Sequence, residues 1–211
     1  MRTEIRPDLL AYLEEEILPR YAQNDAAHGP EHVRRVIENC LAIGREYPVS
    51  PELLYTAAAY HDLGIPQGRE THHLTSGHIL WEDTRLAHWF TPEERRLLRE
   101  AVEDHRASSK TPPRSLLGRI LSEADRDLDP RRIVDRTWKW GCEKFPYMTR
   151  EEQIARMTGH LLEKYGEGGY LKLWLDTEQN RRGLTALRAV LKDPACLRDM
   201  VEEIENEKTP E

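Results

Sequence analysis

Apolar positions recur with a helical period along most of this chain, and the polar residues between them mark where helices start and stop. Leu9, Leu10, Leu13 and Ile17 share one face of a helix predicted over residues 7–18, ending near Pro19. Gly29-Pro30 opens a second, with proline in the first turn, where its missing N–H costs nothing. Val33, Val36, Ile37, Cys40, Leu41 and Ile43 carry its apolar face. Ser50-Pro51 caps a third that runs through "YTAAAYHDLGIP" to His61-Asp62, where Gly64 and Pro66 stop it. Residues 71–88 predict a fourth. Thr91 and Glu94, at capping-box spacing, start a fifth. "SSKTPPRS" reads as a loop, followed by a sixth helix over Ser115–Asp125. Asp129-Pro130 opens a seventh through Trp138 and Trp140, which with Trp174 read as core anchors. Thr149 and Glu152 start an eighth that reaches Tyr165, and short helices are predicted across 170–206.

Period-two alternation is nearly absent and no repeat recurs, so the predicted fold class is all-α, a bundle of about ten helices with short connections. A composition shift near 145 sets the expected organisation: a helical domain over 1–145 and a C-terminal helical extension over 146–211, packed on the same core. The glycines of "KYGEGGY" lack the Lys-Ser/Thr ending and preceding strand of a phosphate-cradling loop, so they read as a junction between helices.

Composition narrows the partners. The chain has 211 residues, enough to bury one substantial core, and a net charge of -7, which offers no footprint for a nucleic acid polymer or an anionic membrane. Cys40, Cys142 and Cys196 are odd in number and far apart, which fits reduced thiols and leaves no CxxC pair for a thiolate zinc site. Glu14, Glu15 and Glu16 interrupt the first apolar run, against a signal peptide, and no run reaches the ~20 residues of a membrane span. The expectation is a soluble cytoplasmic protein whose oligomeric state, monomer or homo-oligomer, stays open.

The histidines change the picture most. Eight of nine lie between residues 28 and 105, and imidazole is the commonest metal-ligating side chain. His32 sits in the first turn of its predicted helix, in "HGPEHVRRV". His61-Asp62 closes one helix and Asp125, in "ILSEADRD", closes another. Four such termini meeting would set two imidazoles and two carboxylates around one ion with positions left open, the pattern of a catalytic site.

In order and context, His32, His61-Asp62 and Asp125 resemble the H…HD…D ligands of the HD-domain superfamily, metal-dependent phosphohydrolases of all-α fold. "AHGPEHVRRV" and "AAAYHDLG" resemble its first two motifs, over roughly residues 20–130. His72, in "THHLTSGHIL", and His105, in "AVEDHRAS", resemble the ligands of a second ion in binuclear members. His73 is the alternative to His72, which is favoured. The longer pattern, with "HLLEKYGEGGYLKLWL", resembles a subgroup of small HD hydrolases without an assigned substrate. Leu63-Gly64-Ile65-Pro66 stands where guanosine-tetraphosphate hydrolases carry a carboxylate pair, and "RASSKTPPRS" where cyclic-dinucleotide phosphodiesterases carry Gly-Tyr-Pro.

The resemblance implies one or two divalent ions (Mn, Fe, Mg, Zn, Co or Ni) held by His32, His61, Asp62, His72, His105 and Asp125. The implied activity is hydrolysis of a small phosphorylated substrate, a nucleotide among the candidates, by a metal-activated hydroxide. Asp62 would span both ions, and Asp62, His73, Arg106 and Arg126 are the expected catalytic residues. Arg69 and Arg114 lie near enough in sequence to assist. Glu70, Asp104 and Glu123 would orient ligand imidazoles. His28 would line the pocket, while His78, His88 and His160 would be structural. Two rival readings share this ligand set: a di-iron oxygenase on the same fold, and a non-catalytic nucleotide-binding module.

Overall fold

The computed structural model describes residues 4–25, 27–106, 109 and 111–207. Among the described residues there are ten α-helices and no strand, so the protein is all-α. They are α1 (Pro7–Tyr12), α2 (Pro30–Gly44), α3 (Pro51–Tyr60), α4 (His72–Glu82), α5 (Pro92–Asp104), α6 (Leu116–Asp125), α7 (Pro130–Lys144), α8 (Arg150–Tyr165), α9 (Glu178–Lys192) and α10 (Pro194–Asn206). None is long and apolar enough to cross a membrane. The chain divides into two compact units, Met1–Arg126 and Asp127–Glu211.

The first unit is built around α3, which is buried from Glu52 to Tyr60. Ala57, Ala58 and Ala59 are fully buried, and their small side chains let neighbouring helices approach closely; α2, α4, α5 and α6 all pack on α3. The caps foreseen at the helix starts form: Ser50 Oγ accepts from Glu52 N, the Thr91–Glu94 box closes, and Ser115 Oγ accepts from Gly118 N. A cap contributes about 1 kcal/mol, whereas each buried Leu or Val contributes about 1.5–3 kcal/mol. The caps therefore fix where helices begin, and faces such as Leu98 and Val102 of α5 hold them in place.

Two predicted helices of this unit are broken. The segment over 7–18 leaves α-geometry after Tyr12 for a wider turn over Leu13–Ile17 and a tighter one over Leu18–Gln23. Pro19 cannot donate to the carbonyl four residues back, so the ladder shifts its register before it. That shift delivers Tyr21 to the interior, fully buried. The segment over 71–88 splits at Asp83, which caps a short turn over Thr84–His88. Asp83 also accepts from the hydroxyls of Tyr12 and Tyr60, so three polar ties hold the break open. In the "SSKTPPRS" loop, Ser108 and Lys110 lie outside the described residues, and 111–115 are irregular.

The second unit has its own core, with Ile133, Val134 and Trp138 of α7 against Ile154, Met157 and Leu161 of α8, Leu187 and Leu191 of α9, and Val201 and Ile204 of α10. This shared core ties α7 to the helices that follow it, whereas the boundary read from the sequence fell at 145/146, just past the end of α7. Residues 166–177 are irregular with Gly168 at φ +85°, and the helices after them are long, at 15 and 13 residues. Trp138 is a core anchor, but Trp140 is 49% exposed. Two positions along a helix is about 200° of rotation, so the two rings face opposite ways.

Candidate metal centre

Five helix ends of the first unit converge. His32 lies in the first turn of α2, His61 caps the C-terminus of α3 with Asp62 directly after it, and His72 opens α4. His105 caps the C-terminus of α5, and Asp125 ends α6. A helix C-terminus leaves carbonyl oxygens without partners, and here imidazoles use them. His61 Nδ1 donates to Ala58 O at 2.7 Å and His105 Nδ1 to Val102 O at 2.6 Å. His72 Nδ1 donates to Arg69 O, also three residues upstream, at 2.7 Å. A carbonyl only accepts, so each Nδ1 carries the hydrogen and each Nε2 presents its lone pair.

Those Nε2 atoms meet in two groups that share Asp62. In the first, His32 Nε2 lies 3.1 Å from His61 Nε2, and Asp62 Oδ2 lies 3.4 and 3.3 Å from the two nitrogens. Asp125 Oδ1 faces the same pair at 3.2 and 3.8 Å. In the second, His72 Nε2 lies 3.2 Å from His105 Nε2, with Asp62 Oδ1 at 3.3 and 3.5 Å. Donors bonded to one ion at about 2.1 Å, with angles between square and tetrahedral, stand about 3.0–3.4 Å apart. Both groups have nearly that spacing, and two ring nitrogens this close need a proton or a metal cation between them. The set of imidazole nitrogens and carboxylate oxygens without sulfur suits Mn, Fe, Co, Ni or Zn better than the oxygen-seeking Mg.

The electrostatics are those of a cation site. Burial pushes the Asp62 carboxyl up, but the charge of His61 and hydrogen bonds from His105, His32 and His61 outweigh it and hold the group far below the carboxylate range. Asp125 is lowered the same way, burial being overcome by His32 and then His61. Burial lowers the His32 imidazole, yet Asp125 and Asp62 raise it to about 9. His105 is also raised, its burial outweighed by Asp62. His72 is lowered to about 4, by burial and then by the charge of His105.

A folded pKa above the unfolded ~6.5 gives stability that is present below pH 6.5 and lost as pH rises through the folded value. Metal-free protein is therefore expected to lose about 2 kcal/mol between pH 7 and pH 9.5 through His32, with His105 acting in the same direction. Metal-saturated protein should not, because the ion has displaced the proton. Urea midpoints of both forms at the two pH values check this, and equal slopes would contradict it.

Other expected residues fall at the rim or outside. His73 is half-buried with its Nδ1 buried and unpartnered, and its ring lies edge-on to His72 at 5.5 Å. The second of the two groups contains His72, not His73. Arg126, beside Asp125, is buried; its Nε donates to Glu123 Oε1 at 3.2 Å and its two terminal nitrogens have no partner among the described residues. Arg69 Nη2 reaches His28 Nε2 at 3.2 Å, and His28 lies edge-on to His32. His78, His88 and His160 are exposed and outside the cluster.

Two of the carboxylates expected to orient imidazoles pair with arginines. Asp104 is held by Arg114 and Glu123 by Arg126, while Glu70 offers its main-chain oxygen to Arg106. Main-chain carbonyls take that role. Two further contributors carried no sequence signal. Tyr21 Oη accepts from Asp62 N at 3.2 Å and lies 3.4 Å from His61 Nδ1, and Asn24 Nδ2 donates to Asp62 O at 3.2 Å. Only the break at Pro19, placing Tyr21 inward, could have pointed to the first.

No curated protein and no solved structure matches the chain. The family model of the HD domain matches residues 30–128, a span that opens at the start of α2 and closes just past Asp125, so it contains all six clustered residues. Residues 30–128, which carry the cluster, are thus those of an HD domain.

Proposed function

We propose that the protein is a metal-dependent phosphohydrolase acting on a small phosphate ester. The observation that carries this reading is Asp62, which offers one oxygen to each of two histidine pairs. Divalent ions bound there would lower the pKa of water from ~16 toward ~7 and offset charge on phosphoryl oxygens.

The chain's own residues supply the rest. Tethered imidazoles keep their Nε2 atoms aimed before substrate arrives, so little reorganisation is left for the reaction. The side chains of Asp125 and His72 keep 19% and 13% exposure, whereas those of His61 and His105 keep none or almost none; substrate therefore approaches from the Asp125 and His72 side. Arg126 brings two buried donors beside Asp125 that lack partners, a state costing about 1–3 kcal/mol for each such group, which a phosphoryl oxygen would relieve.

Protein purified without chelators should carry transition metal and release phosphate from a panel of phosphorylated metabolites supplied with Mn or Fe. His61→Ala and Asp125→Ala should lose both metal and activity; full activity in either sinks the assignment. Oxygen consumption at equal iron loading, with no phosphate released, would replace it with the oxygenase reading.

A further inference from the structure

Beside the second histidine pair lies a cavity of about 330 Å³, lined in part by His73, Glu103, Asp104, Arg106, Ser109 and Arg114. His73 and Arg106 directly follow His72 and His105 in sequence, and the His73 ring touches that of His72.

The charged groups that line this cavity are not all paired. Glu103 is taken up by Arg99 and Arg114, both at 2.7 Å, and Asp104 by Arg114 at 2.9 Å. Arg106 makes one hydrogen bond, from Nη1 to Glu70 O at 2.8 Å, and among the described residues it has no carboxylate partner. Arg114 thus takes up both carboxylates of the lining, which leaves Arg106 as the lining guanidinium without a carboxylate among the described residues. Among the described residues the buried Nδ1 of His73 has no hydrogen-bond partner. A half-buried guanidinium with free N–H groups suits a carboxylate or phosphate, which it can grip with paired hydrogen bonds.

Size and shape narrow the ligand further. The volume is at the low end for small-molecule sites, which run from about 300 to 1,000 Å³. No Phe, Tyr or Trp is among the described lining residues, so there is no platform on which a nucleobase would stack.

We propose that this cavity binds a second anionic group of the substrate, so that the preferred substrates are compact phosphate esters with an anion at each end. This rests on the phosphohydrolase reading for the end that is cleaved. Metals held by the two histidine pairs would act on one phosphoryl group, while Arg106 holds the other anion and sets the orientation. Nucleotides are disfavoured among the candidates.

Three substrates of similar length test it on Mn-loaded full-length protein: glycerol 3-phosphate, glycerate 3-phosphate and propane-1,3-diol bisphosphate. Turnover and equilibrium binding are measured for each. The expected result is a kcat/KM at least tenfold higher for one or both doubly anionic compounds, mostly through KM. Preference for the glycerate alone identifies a carboxylate subsite, and for the bisphosphate alone a phosphate subsite. Arg106→Gln should bring the ratio to glycerol 3-phosphate close to one, and Arg106→Lys should restore part of it. Equal turnover and equal binding of all three by the wild type overturn the proposal, as does a preference that survives in Arg106→Gln. If none is hydrolysed while binding still favours the doubly anionic compounds and depends on Arg106, the phosphohydrolase reading fails and the anion subsite stands.

Discussion

Replacing Asp62 with alanine is expected to empty both metal positions together and to lower phosphatase activity by at least about 10³-fold. Loss of a residue that only orients a ligand typically costs 10–100-fold. Asp62 belongs to both candidate ligand groups, and each of its oxygens faces a different histidine pair at 3.3–3.5 Å. His72→Ala, by contrast, should remove one ion and leave the first group nearly intact. Metal content per chain separates the two variants: near zero for Asp62→Ala and about half the wild-type value for His72→Ala. Circular dichroism guards against unfolding, since four imidazoles lose their common counter-charge in Asp62→Ala. A variant that keeps either ion at full occupancy would refute the shared-carboxylate arrangement.

The second large effect is expected from a single methyl group away from the ligands. A Cβ added at Gly64 would meet the main-chain oxygen of His72 at 2.4 Å and the nitrogen of Ser76 at 2.9 Å. Both obstacles are backbone, and Gly64 N–H donates to Ser76 Oγ at 2.8 Å, so the loop after Asp62 lies directly on the start of α4. In Gly64→Ala the start of α4 must retreat and carry His72 away from Asp62. A misplacement of ~1 Å at a reacting centre costs about 10²-fold, and overpacking of this kind about 1–3 kcal/mol. The expected phenotype is loss of one ion, about a hundredfold drop in activity and a lower denaturation midpoint. Gly159→Ala is the control: nothing lies within 4 Å of that position on α8, so alanine should be neutral or mildly stabilising. Unchanged metal stoichiometry in Gly64→Ala would show that the second group tolerates movement of α4.

Much of this was legible in the sequence, because helix ends announce themselves locally. Ser50-Pro51, the Thr91–Glu94 box and Asp129-Pro130 each place a boundary within one turn, and the candidate ligands sit at such boundaries. What escaped depends on contacts distant in the chain. Asp83 breaks the fourth predicted helix partly through Tyr12 and Tyr60, and no local pattern reports those partners. Tyr21 and Asn24 support the His61-Asp62 segment from about forty residues away, through polar atoms that any loop might contain. The pairing of Asp104 and Glu123 with arginines, where an orienting role was expected, escaped for a related reason. Their neighbourhood in sequence to the histidines was clear, but the arginines that occupy them could be found only in three dimensions.

The carbonyl tethers have a consequence for how such a centre responds to mutation. Ala58, Arg69 and Val102 hold three imidazoles through main-chain oxygens, which every amino acid possesses. An alanine scan of the layer behind the ligands would pass over these tethers, since changing the side chain leaves the acceptor in place. The positions behind the metal are thus free to drift in sequence while the aim of the imidazoles persists. Only a change in backbone path, such as a proline or an inserted residue in the last turn of α3 or α5, would reach it.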